Sequence, residues 1–415
     1  MLEEGEQYYS DSSMQINEAT ALKELEQQLQ VIGIPGTGKA LPWATGGIDE
    51  YSGGVSINAD QHVTSLSLRY CALTSLPEAL MLLPHLQHLD LAGNQLKVLP
   101  AWLQRLSHLR TLYLDNNQLE TLPEWLGDMS ELEELHCDAN RLTFLPAKIN
   151  QLRKLKKLSV YHNRLTNIPA TIGELVGLTD LSVGHNMLTT LPESLWQLHA
   201  LLVLNISENR LETLPEAIGN LTALHTLDIG HNELTALPEA LGMLRNLTHF
   251  LYMSNNHLTS LPDSLRNLTQ LTYLNITDNN LVNLSEQIGD LSALRELRIY
   301  NNQLATLPEA LGRLSQLKEL HAMNNHLTTL PATLGNLSEL TTLDLRNNTL
   351  VTIPETLSKL SLLRYLDLRA NRLLTLPEGL RDLPRLEKLD LRWNKLRSYP
   401  TWMQQLEARG CLVYR

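Results

Sequence analysis

An asparagine recurs every 23 residues through most of this 415-residue chain. Seven copies keep this step, and after one inserted residue seven more continue it. In chain order they are Asn94, Asn117, Asn140, Asn163, Asn186, Asn209, Asn232, Asn256, Asn279, Asn302, Asn325, Asn348, Asn371 and Asn394. A fixed period of this length is typical of repeat proteins, in which each unit contacts mainly its neighbours. The chain is therefore expected to form one array of repeats, although its length alone would suggest two or three domains.

Every asparagine lies in the same frame, LxxLxLxxNxLxxLP. The segment Val63–Leu73 repeats the frame with Cys71 in the asparagine position, which makes 15 units. The LxL motif predicts a short strand whose leucines point into the core while the residue between them points out. Strands of successive units are expected to pair in parallel, about 4.8 Å apart. The asparagine amide is expected to satisfy backbone groups where the chain turns out of the strand.

A short helical turn is predicted after each asparagine, because Leu-Pro is usually followed there by an acid, as in Pro123-Glu124. Proline suits the first helical position, and an acid suits the positive end of the helix dipole. Glycines such as Gly127, Gly173 and Gly219 are expected to close these turns.

Two irregularities adjoin in the second half of the array. One residue is inserted near His249–Leu251, and in the next unit Ser285 replaces the proline. One interpretation is that both irregularities reflect sequence drift between repeats. Alternatively, they indicate a local change of curvature beside Tyr252 and Tyr273.

The pattern over residues 63–406 resembles the leucine-rich-repeat family, and within it the 23-residue class of intracellular, Ras-group proteins. The resemblance implies an α/β solenoid curved like a horseshoe, with a parallel sheet on the concave face and short helical turns on the convex face. Members of this class are scaffolds and regulators, often of small GTPases, and several bacterial effectors carry similar repeats. Effector ligases also have a catalytic domain beyond their repeats, which the segment after the last unit is too short to form.

The region before the repeats resembles the N-terminal cap of plant-type leucine-rich repeats, without the paired cysteines of that cap. The similar features are a helix with Ala21-Leu22, then Trp43, then Gly54-Val55, and then Val63–Leu66. The predicted organisation is a disordered N-terminus over residues 1–15, a cap of helix, glycine-rich loop and strand over 16–62, fifteen repeats over 63–406, and a C-terminal cap strand over 407–415.

Composition limits the possible functions. The net charge of −12 at pH 7 argues against nucleic-acid binding, which needs basic residues to neutralise phosphates. Basic residues gather over 363–415, where they form either an ordinary solvated surface or a patch that steers an acidic protein partner. The chain has no membrane-spanning apolar run, no recognisable signal peptide and only three cysteines. We therefore predict a cytoplasmic monomer without cofactor or membrane association, although secretion independent of a signal peptide would leave no trace in the sequence.

The segment Gly33–Ala40 resembles a phosphate-binding loop. Ala40 stands where that motif needs a Ser or Thr for magnesium, and Pro42 follows where a helix should begin. We interpret the segment as a loop of the cap and expect no enzymatic activity. A nucleotide-binding enzyme acting through Lys39 is the alternative from another functional class.

A protein partner is expected on the predicted concave face, because aromatic residues recur at positions predicted to point outward from the strands. They are Tyr113, Tyr161, Tyr252, Tyr273, Tyr300, Tyr365 and Trp393. Tyr, Trp and Arg dominate interface hot spots. The first candidate surface consists of Tyr252, Tyr273, Arg298, Tyr300, His321 and Met323. The second candidate surface consists of Tyr113, His136, Tyr161, His162 and His185.

Two further patterns on this face have competing interpretations. The histidines His136, His162, His185 and His231 could include a zinc site at the adjacent pair His162 and His185. No familiar ligand set completes such a site, so we predict a polar contact surface and no metal. The Asp-Leu-Arg triplets at 344–346, 367–369 and 390–392 either offset like charges between units or form an arginine row for an acidic partner.

The sequence therefore predicts a protein-interaction scaffold or regulator, with a role in signalling. The alternatives are a bacterial effector or regulator acting on a host or small-GTPase partner, and a spacer with no specific ligand.

Overall fold

The computed structural model describes residues 16–31 and 54–415. These residues fall into two compact units, residues 1–201 and 202–415. Each unit is a run of repeats. A repeat has one short strand and one short 3-10 helix, except the last repeat, whose strand is followed by an α-helix.

The first unit begins with an α-helix, α1, at Ile16–Val31. Its strands are β1 Gly54–Ile57, β2 Val63–Ser67, β3 His88–Asp90, β4 Thr111–Tyr113, β5 Glu134–His136, β6 Lys157–Ser159 and β7 Asp180–Ser182. Its 3-10 helices are Glu78–Leu82, Ala101–Arg105, Glu124–Asp128, Ala147–Gln151, Ala170–Glu174 and Glu193–Gln197.

The second unit ends with an α-helix, α2, at Met403–Ala408, followed by a last strand. Its strands are β8 Val203–Asn205, β9 Thr226–Asp228, β10 Phe250–Tyr252, β11 Tyr273–Asn275, β12 Glu296–Arg298, β13 Glu319–His321, β14 Thr342–Asp344, β15 Tyr365–Asp367, β16 Lys388–Asp390 and β17 Leu412–Tyr414. Its 3-10 helices are Glu216–Asn220, Glu239–Met243, Asp263–Asn267, Glu286–Asp290, Glu309–Arg313, Ala332–Asn336, Glu355–Lys359 and Glu378–Asp382.

The strands β2 to β7 of the first unit and β8 to β17 of the second pair in parallel, each aligned with the same position of the next repeat. A leucine is buried in each strand from β2 to β16, as at Leu112 and Leu274, while the residues beside it point to the opposite face. Strand β1 differs, because it pairs antiparallel with β2. The predicted parallel sheet with short helical turns is confirmed.

The recurrent asparagines join each repeat to the one before it. In the first unit, Asn117 Nδ2 donates to the carbonyl oxygens of Leu91 at 2.9 Å and Leu114 at 3.0 Å, while its Oδ1 accepts the Leu96 N–H at 3.0 Å. The same three kinds of bond recur around Asn279 in the second unit. The predicted role of the asparagine is confirmed, since buried backbone groups need such partners.

Proline lies one position earlier than predicted. Pro123 has extended backbone angles and precedes the 3-10 helix, which begins at Glu124. Ser285 takes the same backbone conformation without a proline ring, so this substitution leaves the local geometry unchanged.

The acid that follows proline acts on the next repeat as well as on its own helix. The Glu124 carboxylate accepts the backbone N–H groups of Ala147 at 2.9 Å and Lys148 at 3.0 Å. Those two residues open the next 3-10 helix, where N–H groups have no partner within the helix. The acid therefore caps its neighbour, a role that the sequence analysis missed.

The helical glycines have a different role from the predicted one. None of Gly127, Gly173 and Gly219 has a left-handed backbone, so they do not close their turns as left-handed caps. A Cβ on Gly173 would clash with the backbone carbonyl of Ser194 in the next repeat. These glycines are needed because consecutive 3-10 helices pack with almost no space between their backbones.

The inserted residue before β10 is absorbed outside the strand. Phe250 pairs in register with Thr226 on one side and with Tyr273 on the other. The asparagine ladder also continues, because Asn256 Oδ1 accepts the Leu234 N–H at 3.1 Å. The repeat therefore keeps both its register and its ladder despite the insertion.

Candidate protein-binding surface

The aromatic part of the first candidate surface is a cluster of three rings on β10 and β11. The centroids of Tyr252 and Tyr273 are 5.1 Å apart, and Phe250 lies 5.6 Å from Tyr252 and 5.5 Å from Tyr273. Phe250 is 40% exposed although it is fully apolar. In the sequence Phe250 only marks the insertion, yet Phe250 and Tyr273 occupy the same strand position in adjacent repeats.

Charged residues extend this cluster onto β12 and β13. The Arg298 guanidinium lies 5.6 Å from the centre of the Tyr273 ring, and its Nε donates to Glu296 Oε1. On the next strand, His321 Nε2 lies 3.0 Å from Glu319 Oε2. Glu296 and Glu319 were not predicted as part of the surface, although they align with Tyr273 along the sheet.

The ionisation of these groups reflects partial burial. Burial raises the pKa of Tyr273 to about 12, although Arg298 opposes the shift. Burial also raises the pKa of Tyr252. For Arg298, burial lowers the pKa, but the hydrogen bond to Glu296 and the charges of Tyr273, Glu296 and Tyr300 together outweigh it, so the net shift is upward. The surface therefore presents neutral phenols beside a permanently charged guanidinium at physiological pH.

The six predicted residues of the first candidate surface do not lie in one row, where a row is the line of paired positions that runs across neighbouring strands. Tyr252, Arg298 and His321 share a row, in which Asn275 separates Tyr252 from Arg298. Tyr273 lies two positions earlier on its strand.

The prediction that all the aromatic residues lie on strands was wrong for three of them. Tyr161, Tyr300 and Trp393 follow the strands β6, β12 and β16 instead, and Met323 likewise follows β13. The three-residue strands end before these positions.

The second candidate surface is a set of ring contacts in the first unit. The centroids of Tyr113 and His136 are 4.8 Å apart, those of Tyr161 and His185 are 5.7 Å apart, and the parallel rings of His162 and His185 are 4.0 Å apart. Burial lowers the pKa of His136, so its ring tends to be neutral.

Backbone conformation explains part of the histidine pattern. The residue before each ladder asparagine has a positive φ near 50°, as at His162 (55°), His185 (51°) and His231 (52°). Asn, Asp and His tolerate this left-handed region better than most residues. These histidines therefore have a structural reason for their positions, which weakens the case for a dedicated histidine surface.

Trp393 occupies the same left-handed position with φ 61°, and it is 72% exposed. A bulky side chain is disfavoured there. The Arg392 guanidinium lies 5.5 Å from its ring and 4.9 Å from the ring of Tyr414. A cation and two exposed aromatic rings thus form a further cluster at the end of the second unit, with the residue types of a protein-binding surface.

The Asp-Leu-Arg triplets pair internally and across repeats. Arg369 bonds to Asp367 of its own triplet at 2.6 Å and lies 3.4 Å from Asp390 of the next. Asp390 is fully buried and also bonds to Arg392 at 2.6 Å. This geometry favours the structural interpretation, in which opposite charges offset the stacking of like charges.

Two partly buried carboxylates of the first unit, Asp115 and Asp138, were not predicted. Asp115 Oδ1 accepts the Asp138 N–H at 2.7 Å, and Asp138 Oδ1 in turn accepts from the Ser159 hydroxyl at 2.6 Å. Burial raises the pKa of Asp115 to about 7, and the charges of Asp138 and Asp90 add to the shift. The sequence feature that marks these two carboxylates is an acid two positions before the ladder asparagine in consecutive repeats.

Replacing Asp115 with Asn is expected to remove a pH dependence of stability. Because the folded-state pKa is raised, the folded protein holds the proton more tightly than the unfolded chain. The contribution of Asp115 to stability is therefore highest below about pH 4 and falls as pH rises towards about 7. The size of the pKa shift limits the contribution of Asp115 to the free energy of unfolding to at most about 4 kcal/mol, and solvent screening lowers this contribution.

Denaturant unfolding at pH 4.5 and pH 8 measures this contribution. Between the two pH values, Asp115→Asn should lose less stability than the wild type. The exposed Asp128→Asn is the control, and equal losses in wild type and Asp115→Asn would contradict the prediction.

Two groups of side chains within the described residues could hold a metal ion, and neither contains His162 or His185, the pair that the sequence analysis weighed as a zinc site and rejected. They are Glu18, His62 and His85 in the first unit, and Glu296, Glu319 and His321 in the second. The loop Gly33–Ala40 lies outside the described residues. Among the helices of the described part, none is long and apolar enough to cross a membrane.

Comparison with family models places the chain in a known family. The model described as leucine rich repeat matches residues 61–119, 96–142, 130–188, 153–211 and 338–396. The model described as leucine-rich repeat region matches residues 192–304 and 255–361. The chain belongs to the leucine-rich-repeat family.

Solved structures give the same result. A leucine-rich-repeat protein of Leptospira interrogans is 33% identical with a TM-score of 0.78, and the match covers 84% of this chain and 95% of that one. The Arabidopsis receptor kinase HAESA, solved with the peptide hormone IDA and the co-receptor SERK1, is 28% identical with a TM-score of 0.72, covering 92% and 70%. YopM of Yersinia enterocolitica is 29% identical with a TM-score of 0.58, covering 81% and 70%. No curated protein matches the chain.

Proposed function

We propose that this protein is a non-enzymatic scaffold that binds a protein partner on the strand-bearing face of its second unit. The proposed site is the first candidate surface together with Phe250. The observation that carries the proposal is the cluster of Phe250, Tyr252 and Tyr273, with Arg298 beside it. The core leucines of these strands point to the other face, so the fold does not require aromatic residues here.

The chemistry of the surface suits a particular kind of partner segment. Rings and a guanidinium are the groups that dominate interface hot spots. Along the same rows the cluster is followed by Glu296 and Glu319, and then by Asp344. A segment that presents apolar side chains to the rings and basic side chains to Glu319 and Asp344, beyond the Arg298–Glu296 ion pair, would match this order.

Relatives support binding of proteins or peptides in general terms. The similar receptor kinase HAESA was solved with a peptide hormone and a co-receptor. For this chain we infer a protein ligand of the same broad class.

We also propose that the protein works in a reducing compartment such as the cytoplasm, as a monomer in a signalling or regulatory assembly. Cys71, Cys137 and Cys411 are all free. Burial raises the pKa of each thiol, which keeps it in the unreactive protonated form. Free cysteines are typical of proteins that function where thiols stay reduced.

The test is the triple variant Tyr252→Ala, Arg298→Ala, Tyr300→Ala. A partner is first captured from the native cell on the wild-type protein, identified and purified, and its Kd is then measured by calorimetry. The variant is expected to lose about 2 kcal/mol or more, roughly 30-fold in Kd, which is the scale of hot spots. Its circular dichroism and melting temperature should stay those of the wild type.

Two control variants locate the effect. Val282→Ala with Val351→Ala removes exposed apolar groups of the same unit outside the surface and should leave Kd unchanged. Tyr113→Ala with Tyr161→Ala removes rings of the second candidate surface and should also be neutral. If the triple variant binds at wild-type affinity, the proposed site is wrong. A failure to capture any partner on the wild-type protein would instead favour a spacer without a specific ligand.

A further inference from the structure

Three histidines occupy the same repeat position at the start of the array. His62, His85 and His108 each lie nine residues before the ladder position of their repeat. The ring centroids of His62 and His85 are 3.8 Å apart, and those of His85 and His108 are 6.0 Å apart. Stacking of consecutive repeats thus places a column of imidazoles beside α1.

Helix α1 brings a carboxylate to this column. Glu18 is only 3% exposed, and its Oε2 accepts the backbone N–H of Val63 at 2.8 Å. Its other oxygen, Oε1, lies 3.2 Å from His62 Nδ1. A buried carboxylate is costly unless it is paired. The backbone bond holds one oxygen in place and leaves the other directed at the histidines.

Glu18, His62 and His85 each offer one ligand atom, and these three atoms all lie within 4.8 Å of one another. Ligand atoms about 2.0–2.2 Å from a tetrahedral zinc ion are separated by roughly 3.3–3.5 Å, so small side-chain rotations close the set. Two histidines and one glutamate form a known zinc donor set with an open fourth position. We propose that Glu18, His62 and His85 bind one Zn²⁺ ion.

The Val63 N–H supports this assignment. Oriented ligands usually have a second partner that fixes their position, and the bond to Glu18 Oε2 has that role here. Each of the three ligands comes from a different part of the chain: α1, the residue just before β2, and the segment before β3. The ion would therefore cross-link the N-terminal helix to the first two repeats.

The other candidate group is less suited to a cation. In the second unit, Glu296 already receives the Arg298 guanidinium, whose positive charge would repel a divalent ion. Around Glu18 the described contacts of the carboxylate are the Val63 N–H and the His62 ring, neither of which is a permanent charge.

The experiment is a calorimetric titration of the metal-free full-length protein with Zn²⁺, repeated with Co²⁺ to record the absorption of a tetrahedral site. Wild type is expected to bind one ion per chain and to melt at a higher temperature with zinc, because metal that binds only the folded state stabilises it. Glu18→Gln keeps an acceptor for Val63 but removes the charged ligand. Glu18→Gln and His85→Ala should each weaken zinc binding by about tenfold or more.

The matched control is His162→Ala with His185→Ala, which removes the stacked pair outside the proposed site and should leave the zinc affinity unchanged. Circular dichroism with chelator present shows whether each variant folds, and the half-exposed His85→Ala is the variant expected to keep the fold. Absence of stoichiometric zinc binding in the wild type would overturn the proposal. Wild-type affinity in both ligand variants would also overturn it.

Discussion

Deletion of residues 401–415 is expected to lower the melting temperature strongly and to make the protein aggregate. Within this segment Trp402, Met403 and Leu406 are at most 7% exposed, and β17 pairs with β16. Burial of a large apolar side chain contributes about 1.5–3 kcal/mol, so losing these three costs about 5 kcal/mol or more. The deletion also exposes an unpaired strand edge, which favours association between chains.

Thermal melting and light scattering measure both effects. Leu406→Ala provides a milder version and should lower stability by about 2–5 kcal/mol, as is usual for truncation of a buried leucine. The control is Leu412→Ala in the same segment, where the side chain is 58% exposed and little should change. A truncated protein that remains monomeric with an unchanged melting curve would show that this segment is not a cap.

Replacement of Asn279 by Ala is expected to cause the second largest loss, about 3–5 kcal/mol of unfolding free energy. The amide of Asn279 donates to the carbonyls of Met253 at 2.9 Å and Ile276 at 3.3 Å, and it accepts the Leu258 N–H at 3.0 Å. These backbone groups are buried and lose their partners together. Each buried polar group left without a partner costs about 1–3 kcal/mol.

The adjacent Asn280→Ala is the matched control for this loss. Asn280 lies outside the ladder, and its side-chain oxygen accepts one long bond of 3.3 Å from Gln303. Urea unfolding should therefore give nearly wild-type stability for Asn280→Ala and a much lower midpoint for Asn279→Ala. Equal stability of the two variants would mean that water replaces the ladder asparagine at no cost.

The repeat fold was predictable because each repeat obeys the same local rule. A period of 23 residues places every LxL motif beside the next, so strand pairing and core leucines follow from the spacing. The asparagine ladder was predictable for the same reason, since a side-chain amide offers two N–H donors and a carbonyl acceptor at that turn. The binding surface was predicted from residue type and position, and its assignment remains a proposal.

Contacts between repeats were harder to predict. Gly173 is required by the Ser194 carbonyl of the next repeat, and Glu124 caps the helix that begins at Ala147. The sequence of a single repeat does not show which residues of the next repeat Gly173 and Glu124 contact. Phe250 likewise gained its place beside Tyr273 through strand register, which an inserted residue made uncertain in the sequence.

The sequence by itself determined the repeat, the direction of strand pairing and the residues of the core, because these depend on spacing along the chain. Only the tertiary structure decided which side chains meet across repeats and at the start of the array. Glu18 and His62 are 44 residues apart in the chain, yet their side-chain atoms lie 3.2 Å apart. No periodic pattern relates a residue of α1 to a residue of the repeats, so packing of the helix against the array alone brings them together.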